Sequence, residues 1–286
     1  MRPVVALRLP VQVDLAGFIA LLQRLQVQHR VTEDAGEQVL WVPAEPVAEQ
    51  VRGLYARYPQ GDAGEPLAVP PHNAAGSLLA RLRGSPLTSA VLLLTLLVAL
   101  VTWGGENLQA VRWLSFLDFS VQGDYLQFYP LASSLAQGQW WRLVSPVLLH
   151  FGLLHLAMNS LWWWELGRRI ELRQGGLALF GLLLFYGLVS DLAQFLWSGP
   201  GLFGGLSGVL YGLLGHCWIY QKLAPNAAYR LPPGVVGMML LWLLICMTGI
   251  FELVQLAAIA NAAHLGGLLA GCLTGLLGGA LARWRR

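Results

Sequence analysis

Six apolar segments fill the chain beyond residue 85, and they constrain its fold more than any other feature. They lie at residues 86–103, 147–168, 176–197, 205–221, 233–251 and 258–282. A helix that crosses a bilayer needs roughly 20 predominantly apolar residues, and each segment approaches that length. Charged residues make up only 12% of the chain, against about 25% in soluble proteins. We therefore predict an all-α polytopic membrane protein built as a six-transmembrane-helix bundle.

Basic residues alternate between the connections and predict how the bundle is oriented. Arginines precede the first segment and follow the second and the sixth, whereas the third connection carries no charge. Lysine and arginine concentrate on the cytoplasmic side of membrane proteins. We therefore expect both termini in the cytoplasm, with segments two, four and six running from outside to inside.

The first 60 residues are more polar and alternate between strand-like and helix-like patterns. Their order predicts a small α+β domain of βαββα type. A stretch rich in proline and glycine follows and indicates a linker. The predicted organisation is a cytoplasmic α+β domain at 1–60, a linker at 61–85, the membrane domain at 86–282 and a basic cytoplasmic tail at 283–286.

The connection between the first two segments, residues 104–146, is long and rich in aromatic residues. Tryptophan and tyrosine favour the membrane–water interface. We therefore predict that this connection lies partly in the interface as short helices. The alternative is a plain extracellular loop.

Polar side chains at the outer ends of three segments are the strongest functional signal. His150, His155 and Asn159 open the second segment, Ser207 the fourth, and Asn261 and His264 the sixth. Because all three segments run inward, these groups fall at one depth, near the outer leaflet. Polar groups inside a bilayer are costly and indicate function.

These residue types are the components of a serine hydrolase. A serine hydroxyl needs a base to accept its proton, and His264 is the candidate base for Ser207. The Asn159 amide, the His155 ring and the Ser207 backbone N–H are candidate donors for an oxyanion hole. No aspartate is available to orient His264, so we predict a dyad. The mechanism requires no metal and no cofactor.

Glycines at four-residue intervals predict close packing of the fourth and sixth segments. They begin one turn beyond the dyad, at Gly208 and Gly212 and at Gly267, Gly271, Gly275 and Gly279. Tyr211 lies on the face of Ser207 and either stacks on His264 or only packs in the core.

Other hydrolase classes fit less well. The His-Glu-x-x-His motif of zinc proteases is absent, and a single membrane aspartate, Asp191, cannot form an aspartyl pair. The only lysine, Lys222, lies at the opposite end of the segment from Ser207. A small, scattered net charge of +3 gives no sign of a nucleic-acid partner.

Four motifs together resemble the rhomboid intramembrane serine proteases over roughly residues 86–282. They are Trp141-Arg142, His150-x4-His155-x3-Asn159, Gly205-Leu206-Ser207-Gly208, and Asn261-x2-His264-x2-Gly267-x3-Gly271. The predicted α+β domain at residues 1–60 resembles the cytoplasmic domain of some bacterial members. The third connection, residues 198–205, is one residue longer than in those members.

The resemblance implies a location, a substrate class and residue roles. It implies a multi-pass protein of the bacterial inner membrane, with its active site facing the outer side, that cuts transmembrane protein substrates within the lipid bilayer. His150 is then mainly structural, Glu171 ties loops together near the cytoplasmic side, and a mobile cap covers the site at about 252–261. A catalytically inactive rhomboid-like binder or chaperone and a transporter remain as alternatives. The oligomeric state is left open.

Overall fold

The computed structural model describes residues 4–34, 36–61, 78–253 and 259–284. The chain divides into two compact units, residues 1–76 and 77–286. Each unit has its own hydrophobic core.

The first unit contains a three-stranded antiparallel sheet. Its elements are β1 (Val4–Pro10), α1 (Ala16–Arg24), β2 (Arg30–Asp34), β3 (Glu37–Val42) and α2 (Glu45–Arg57). β3 lies between β1 and β2. Phe18 and Leu22 of α1 are fully buried, as is Leu40 of β3. The βαββα order predicted from the sequence is present.

The second unit is mostly helical. Its elements are α3 (Leu78–Arg83), α4 (Pro86–Val101), α5 (Leu108–Leu114), β4 (Phe119–Gln122), β5 (Tyr125–Phe128), α6 (Leu131–Ala136), α7 (Leu153–Gln174), α8 (Gly176–Ser198), α9 (Ser207–Leu223), α10 (Val235–Met247), α11 (Ile250–Leu253) and α12 (Asn261–Trp284). The helix α3 falls inside the stretch assigned to the linker, so that stretch is partly helical. Residues 62–77 lie outside the described residues.

Four of the six apolar segments match helices to within a few residues, and two differ. The second segment was predicted at 147–168, but α7 begins and ends six residues later. Residues 145–148 form a 3-10 turn that contains Pro146, and Gly152 has a positive φ of 97° just before the helix. The fifth segment, predicted at 233–251, is broken between α10 and α11 by Gly249, whose φ is 72°.

Two of the described helices, α8 and α12, are long and apolar enough to cross a membrane by length and composition. The helices α4 and α10 are apolar but shorter, with 16 and 13 residues. The count of six transmembrane helices therefore stays a prediction.

The first connection contains a β-hairpin that the all-α prediction missed. Strands β4 and β5 pair in antiparallel register around Gly123-Asp124. Short helices are present on both sides of the hairpin, α5 before it and α6 after it. The second unit is thus mainly but not wholly helical.

The start of α4 is capped by a side chain from a distant helix. Glu171 of α7 accepts hydrogen bonds from the backbone N–H groups of Leu87 and Thr88, both at 2.8 Å, and from the Thr88 hydroxyl at 2.6 Å. The four N–H groups at a helix start have no partner within the helix. Glu171 therefore joins α7 to the first turn of α4.

The helix α9 forms the centre of the second unit, with 11 of its 17 residues buried. It packs against α12 at glycines. A methyl group on Gly267 would lie 2.0 Å from the carbonyl oxygen of Gly208, and one on Gly271 would lie 1.9 Å from that of Gly212. No side chain fits at these two positions, so the backbones of α9 and α12 meet directly.

Candidate active site

The residues before α9 hold its start against the end of the first connection. The backbone N–H of Gly205 donates to the carbonyl oxygen of Pro146 at 3.0 Å. Gly205 has a φ of 114°, which favours glycine. A methyl group on Gly204 would lie 2.6 Å from the same Pro146 oxygen. These two glycines allow the segment to approach closely and fix the position of Ser207.

Ser207 and His264 come together across the glycine contact between α9 and α12. The Oγ of Ser207 lies 2.7 Å from the Nε2 of His264. At this distance the hydroxyl can donate to an unprotonated ring nitrogen. His264 is buried, and its Nδ1 has no hydrogen-bond partner among the described residues. The pair therefore has the arrangement of a dyad.

Tyr211 covers one face of this pair. Its ring centroid lies 5.0 Å from that of His264, with the planes tilted by 38°. Its hydroxyl donates to the carbonyl oxygen of Met239 in α10 at 2.9 Å. The contact with His264, which the sequence left open, is present, and the hydroxyl also joins α9 to α10.

His155 and Asn159 lie against Gly205, two residues before Ser207. A methyl group on Gly205 would lie 2.7 Å from the Nε2 of His155 and 3.3 Å from the Nδ2 of Asn159. Asn159 is 4% exposed, and its Nδ2 has no partner among the described residues. A buried donor without an acceptor is costly, and such a donor is available to an incoming oxyanion.

His150 packs against His155. Its side chain is fully buried, its Nδ1 lies 3.2 Å from the carbonyl oxygen of Leu148, and its ring centroid is 5.0 Å from that of His155. Asn261 has a different partner, because its Nδ2 donates to the carbonyl oxygen of Cys246 at 3.0 Å. Asn261 thereby ties the start of α12 to the end of α10.

Trp141 and Arg142 organise the first connection. Arg142 is 2% exposed, and its Nη1 donates to the carbonyl oxygens of Arg112 and Ser115 at 2.7 and 2.8 Å. Its Nη2 lies 3.4 Å from Asp118. The Nε1 of Trp141 donates to the carbonyl oxygen of Trp113 at 2.9 Å. Both side chains thus hold α5 to the segment that precedes the site.

Asp118 joins the same cluster. Arg112 donates to its carboxylate at 2.6 Å through Nε and at 3.0 Å through Nη2. These hydrogen bonds lower the pKa of the Asp118 carboxyl below its usual value. Burial lowers the pKa of the Arg142 guanidinium.

Two further polar residues lie away from Ser207 and His264. Glu171 is 12 residues beyond Asn159 on α7, or roughly 18 Å along the helix. His216 is nine residues beyond Ser207 on α9, and it contacts Gln174 at 2.8 Å and Thr274 at 3.1 Å. Glu171 caps α4, and His216 belongs to a separate buried polar cluster.

Two polar residues of α8, Ser190 and Gln194, pack behind Ser207 and His264 and were not among the predicted site residues. The Oε1 of Gln194 accepts from the backbone N–H of Ala263 at 3.2 Å, next to His264. The Oγ of Ser190 would meet methyl groups placed on Gly208 and Gly267, at 2.5 and 3.0 Å. Asp191 is 3% exposed, with one carboxylate oxygen unpartnered among the described residues. The cost of polar groups in a bilayer, which already singled out Asp191, applies equally to Ser190 and Gln194.

The described part of the chain contains no candidate metal centre. No group of three or more His, Cys, Asp or Glu residues there is placed to hold an ion.

Comparison with known families identifies both units. The model of the rhomboid domain matches residues 137–281, and the model of the rhomboid N-terminal domain matches residues 1–68. The chain belongs to the rhomboid family. The first of these matches includes Ser207, His264, His155 and Asn159, so the polar cluster lies within the rhomboid domain.

Individual relatives cover most of the chain. The protein named Rhomboid protease GlpG of Serratia proteamaculans is 40% identical over 195 residues, which are 68% of this chain and 63% of the relative. The Yersinia pestis protein of the same name is 37% identical over 193 residues, again 68% of this chain and 63% of the relative. The match thus spans less than two thirds of the length of these relatives.

Proposed function

We propose that the protein is an intramembrane serine endopeptidase that hydrolyses peptide bonds in or near transmembrane segments through a Ser207–His264 dyad. The 2.7 Å contact between Ser207 Oγ and His264 Nε2 carries the proposal. Membership of the rhomboid family and similarity to proteins named rhomboid proteases support it.

The proposed reaction begins with proton transfer from Ser207 to His264. Ser207 Oγ attacks the scissile carbonyl, and the protonated His264 then gives its proton to the leaving amine. Water subsequently attacks the acyl-enzyme, with His264 again acting as base. Both half-reactions pass through a tetrahedral oxyanion.

Three donors surround the proposed position of that oxyanion. They are the Asn159 amide, the His155 ring and the backbone N–H of Ser207. Ser207 is the first residue of α9, so its N–H has no acceptor within the helix, and the helix dipole adds positive potential there. Donors fixed before the reaction stabilise the charge that develops in the transition state.

The proposed setting is the bacterial inner membrane, with six spans, both termini in the cytoplasm and the site facing outward. The 17 residues of α9 are roughly 25 Å long, against a hydrocarbon core of about 30 Å. If its inner end reaches the cytoplasmic interface, Ser207 lies a few ångströms below the outer surface. Water can then reach it from that side. Transmembrane protein segments are the proposed substrates.

The alternative of a catalytically inactive binder is not favoured. A binder has no need of a serine in hydrogen-bond contact with a buried histidine beside unused amide and imidazole donors. The short contact in this site favours chemistry.

Labelling with a fluorophosphonate tests the proposal. This reagent reacts covalently with activated serines, so the purified protein should be labelled, and Ser207→Ala should not. Ser133→Ala is the matched control, because Ser133 is an exposed serine of α6, and this variant should label like the parent. Equal labelling of Ser207→Ala and the parent would exclude Ser207 as the nucleophile.

A further inference from the structure

A cleft of about 240 Å³ lies along the last three turns of α7, at the end of the helix remote from His155. It lies within the second unit, and nothing in the proposed reaction uses it. Its lining combines two arginines, one glutamate and apolar groups: Trp164, Glu165, Arg168, Arg169, Leu172 and Ala228.

Arg169 and Glu165 form an ion pair in the wall of the cleft. The Nε of Arg169 donates to the Glu165 carboxylate at 3.0 Å. Its Nη1 donates to the carbonyl oxygens of Ala228 and Arg230, at 3.3 and 2.9 Å. The two charges neutralise each other, and the guanidinium holds the connection after α9 against α7.

Arg168 has no such partner. It makes no hydrogen bond or ion pair with any described residue, and its Nε is buried without an acceptor. Its guanidinium carbon lies 5.8 Å from the ring centroid of Trp164, a cation–π distance. With Glu165 and Arg169 paired, the cleft keeps one uncompensated positive charge, on Arg168.

Exposed apolar side chains flank this charge along α7. Leu161 and Leu172 are on the same face of α7 as Arg168, and they are 61% and 58% exposed. Arg168 lies 15 residues after the start of α7, or roughly 22 Å along the helix. In the proposed orientation, this places Arg168 near the cytoplasmic interface. There the exposed leucines face the acyl chains of the lipids, and Arg168 lies at the level of the headgroup phosphates.

We propose that this cleft binds the phosphate of an anionic phospholipid headgroup, with the Arg168 guanidinium as its principal ligand. Guanidinium groups match phosphate geometry with two parallel hydrogen bonds. Basic pockets between helices on the cytoplasmic side suit anionic headgroups, and the acyl chains would follow the Leu161 side of α7. The proposal rests on the proposed membrane orientation but not on the catalytic dyad.

Native mass spectrometry of the detergent-solubilised full chain, titrated with phosphatidylglycerol or phosphatidylcholine, tests it. The parent should retain phosphatidylglycerol in preference to phosphatidylcholine. Arg168→Gln should weaken phosphatidylglycerol binding about fivefold, the effect of one basic residue near an anionic headgroup. Arg283→Gln is the matched control, because it removes one exposed charge from the last turn of α12, outside the cleft, and should bind as the parent does.

Glu165→Gln gives a result of opposite sign. It removes the negative charge of the cleft while keeping an oxygen that Arg169 can bind, so phosphatidylglycerol binding should tighten. This variant keeps the proposal testable if Arg168→Gln does not fold. Unchanged binding in both variants, or equal weakening in Arg168→Gln and Arg283→Gln, would overturn the site.

A competition with inorganic phosphate separates the two sources of phosphate. Millimolar phosphate should leave lipid binding unchanged, because a free ion gains nothing from the apolar rim. Displacement of the lipid by inorganic phosphate would show an anion site that does not require a lipid. Fluorophosphonate labelling of Ser207 in the same samples reports on the proposed catalytic function independently, so failure of one proposal is distinguishable from failure of the other.

Discussion

The hydroxyl of Ser207 is a weak nucleophile unless a neighbour accepts its proton. His264 is the only ring nitrogen found in contact with it among the described residues. Removing either member therefore removes the same step. We expect Ser207→Ala and His264→Ala each to abolish cleavage of a transmembrane substrate, and the double variant to cost little more, because residues that act as a unit are not additive. Full activity in His264→Ala would contradict the assigned base.

Asn159→Ala should instead give a graded loss. The dyad remains, and one oxyanion donor is deleted, which typically costs about 10²–10³ in turnover, or roughly 2.7–4 kcal/mol. His155 and the Ser207 N–H partly compensate, so we expect the low end of this range. Substrate affinity should change little, because the charge develops only in the transition state. Cleavage rates of the purified variant over a range of substrate concentrations measure both quantities, and a large affinity loss would place Asn159 at the substrate-binding surface.

We expect Asp118 to make the first connection sensitive to acid. Because Arg112 lowers the pKa of Asp118 below the ordinary value of 3.8, the ionised carboxylate stabilises the fold. This contribution is complete above that ordinary value and is lost as the pH falls through the lower, folded-state value. Thermal unfolding from neutral pH to below 3.8 should show the parent more stable than Asp118→Asn at neutral pH, with the gap closing in acid. A gap independent of pH would contradict the assigned role.

At the scale of single residues, the sequence indicated which side chains form the candidate site but not which distant residues are joined by hydrogen bonds. Ser207, His264, His155 and Asn159 could be grouped because a helix period and a common depth place them together. The capping of α4 by Glu171 joins residues 83 positions apart, and only the packing of α7 on α4 brings them together. Ser85 stands at the N-cap position of α4, where serine is common, but its side chain makes no capping hydrogen bond.

Among the helices, we expect the contact between α9 and α12 to decide whether the proposed dyad forms. A methyl group on Gly271 would lie 1.9 Å from a backbone oxygen, so the two helices must separate. We expect Gly271→Ala to destabilise the protein by about 3 kcal/mol, the upper part of the range for overpacking, and to reduce labelling of Ser207. Thermal unfolding and fluorophosphonate labelling measure these two effects.

Gly181→Ala is the matched control for that change. Gly181 is within α8, and nothing lies within 4 Å of a methyl group placed there. Alanine should stabilise the helix by about 0.5–1 kcal/mol at such a position. An equal loss of stability in both variants would contradict a specific contact at Gly271.

Helix boundaries show which elements a hydropathy pattern can locate. The helices α4, α8, α9 and α12 were found because their ends coincide with the ends of apolar runs. The helix α7 continues through charged residues to Gln174, and hydropathy gives no signal for such a polar turn. The hairpin of β4 and β5 did have a signal, since Gly-Asp between two aromatic runs is a turn sequence and Gly123 has a φ of 61°.

For the whole molecule, the proposed orientation in the membrane is what gives water access to the proposed dyad. The arginine distribution predicts that Gly201 faces outward and that Gln174 and Pro225 face the cytoplasm. Reporter fusions at these three sites, read by a periplasmic and a cytoplasmic reporter, measure this directly. An inward signal at Gly201 would remove the common outer depth on which the proposed site depends.

The two units also differ in what they contribute to the proposed chemistry. Ser207, His264 and the donor residues all lie in the second unit, and the first unit has a separate core around Phe18. The described residues of the first unit supply no group to the dyad or its donors.

Deletion of residues 1–76 should therefore leave cleavage by the detergent-solubilised protein within a few fold of the parent, with Ser207 still labelled by the fluorophosphonate. Thermal unfolding of the shortened chain provides the control for folding. A shortened chain that unfolds cooperatively near the parent temperature but no longer cleaves would show that the first unit takes part in the reaction.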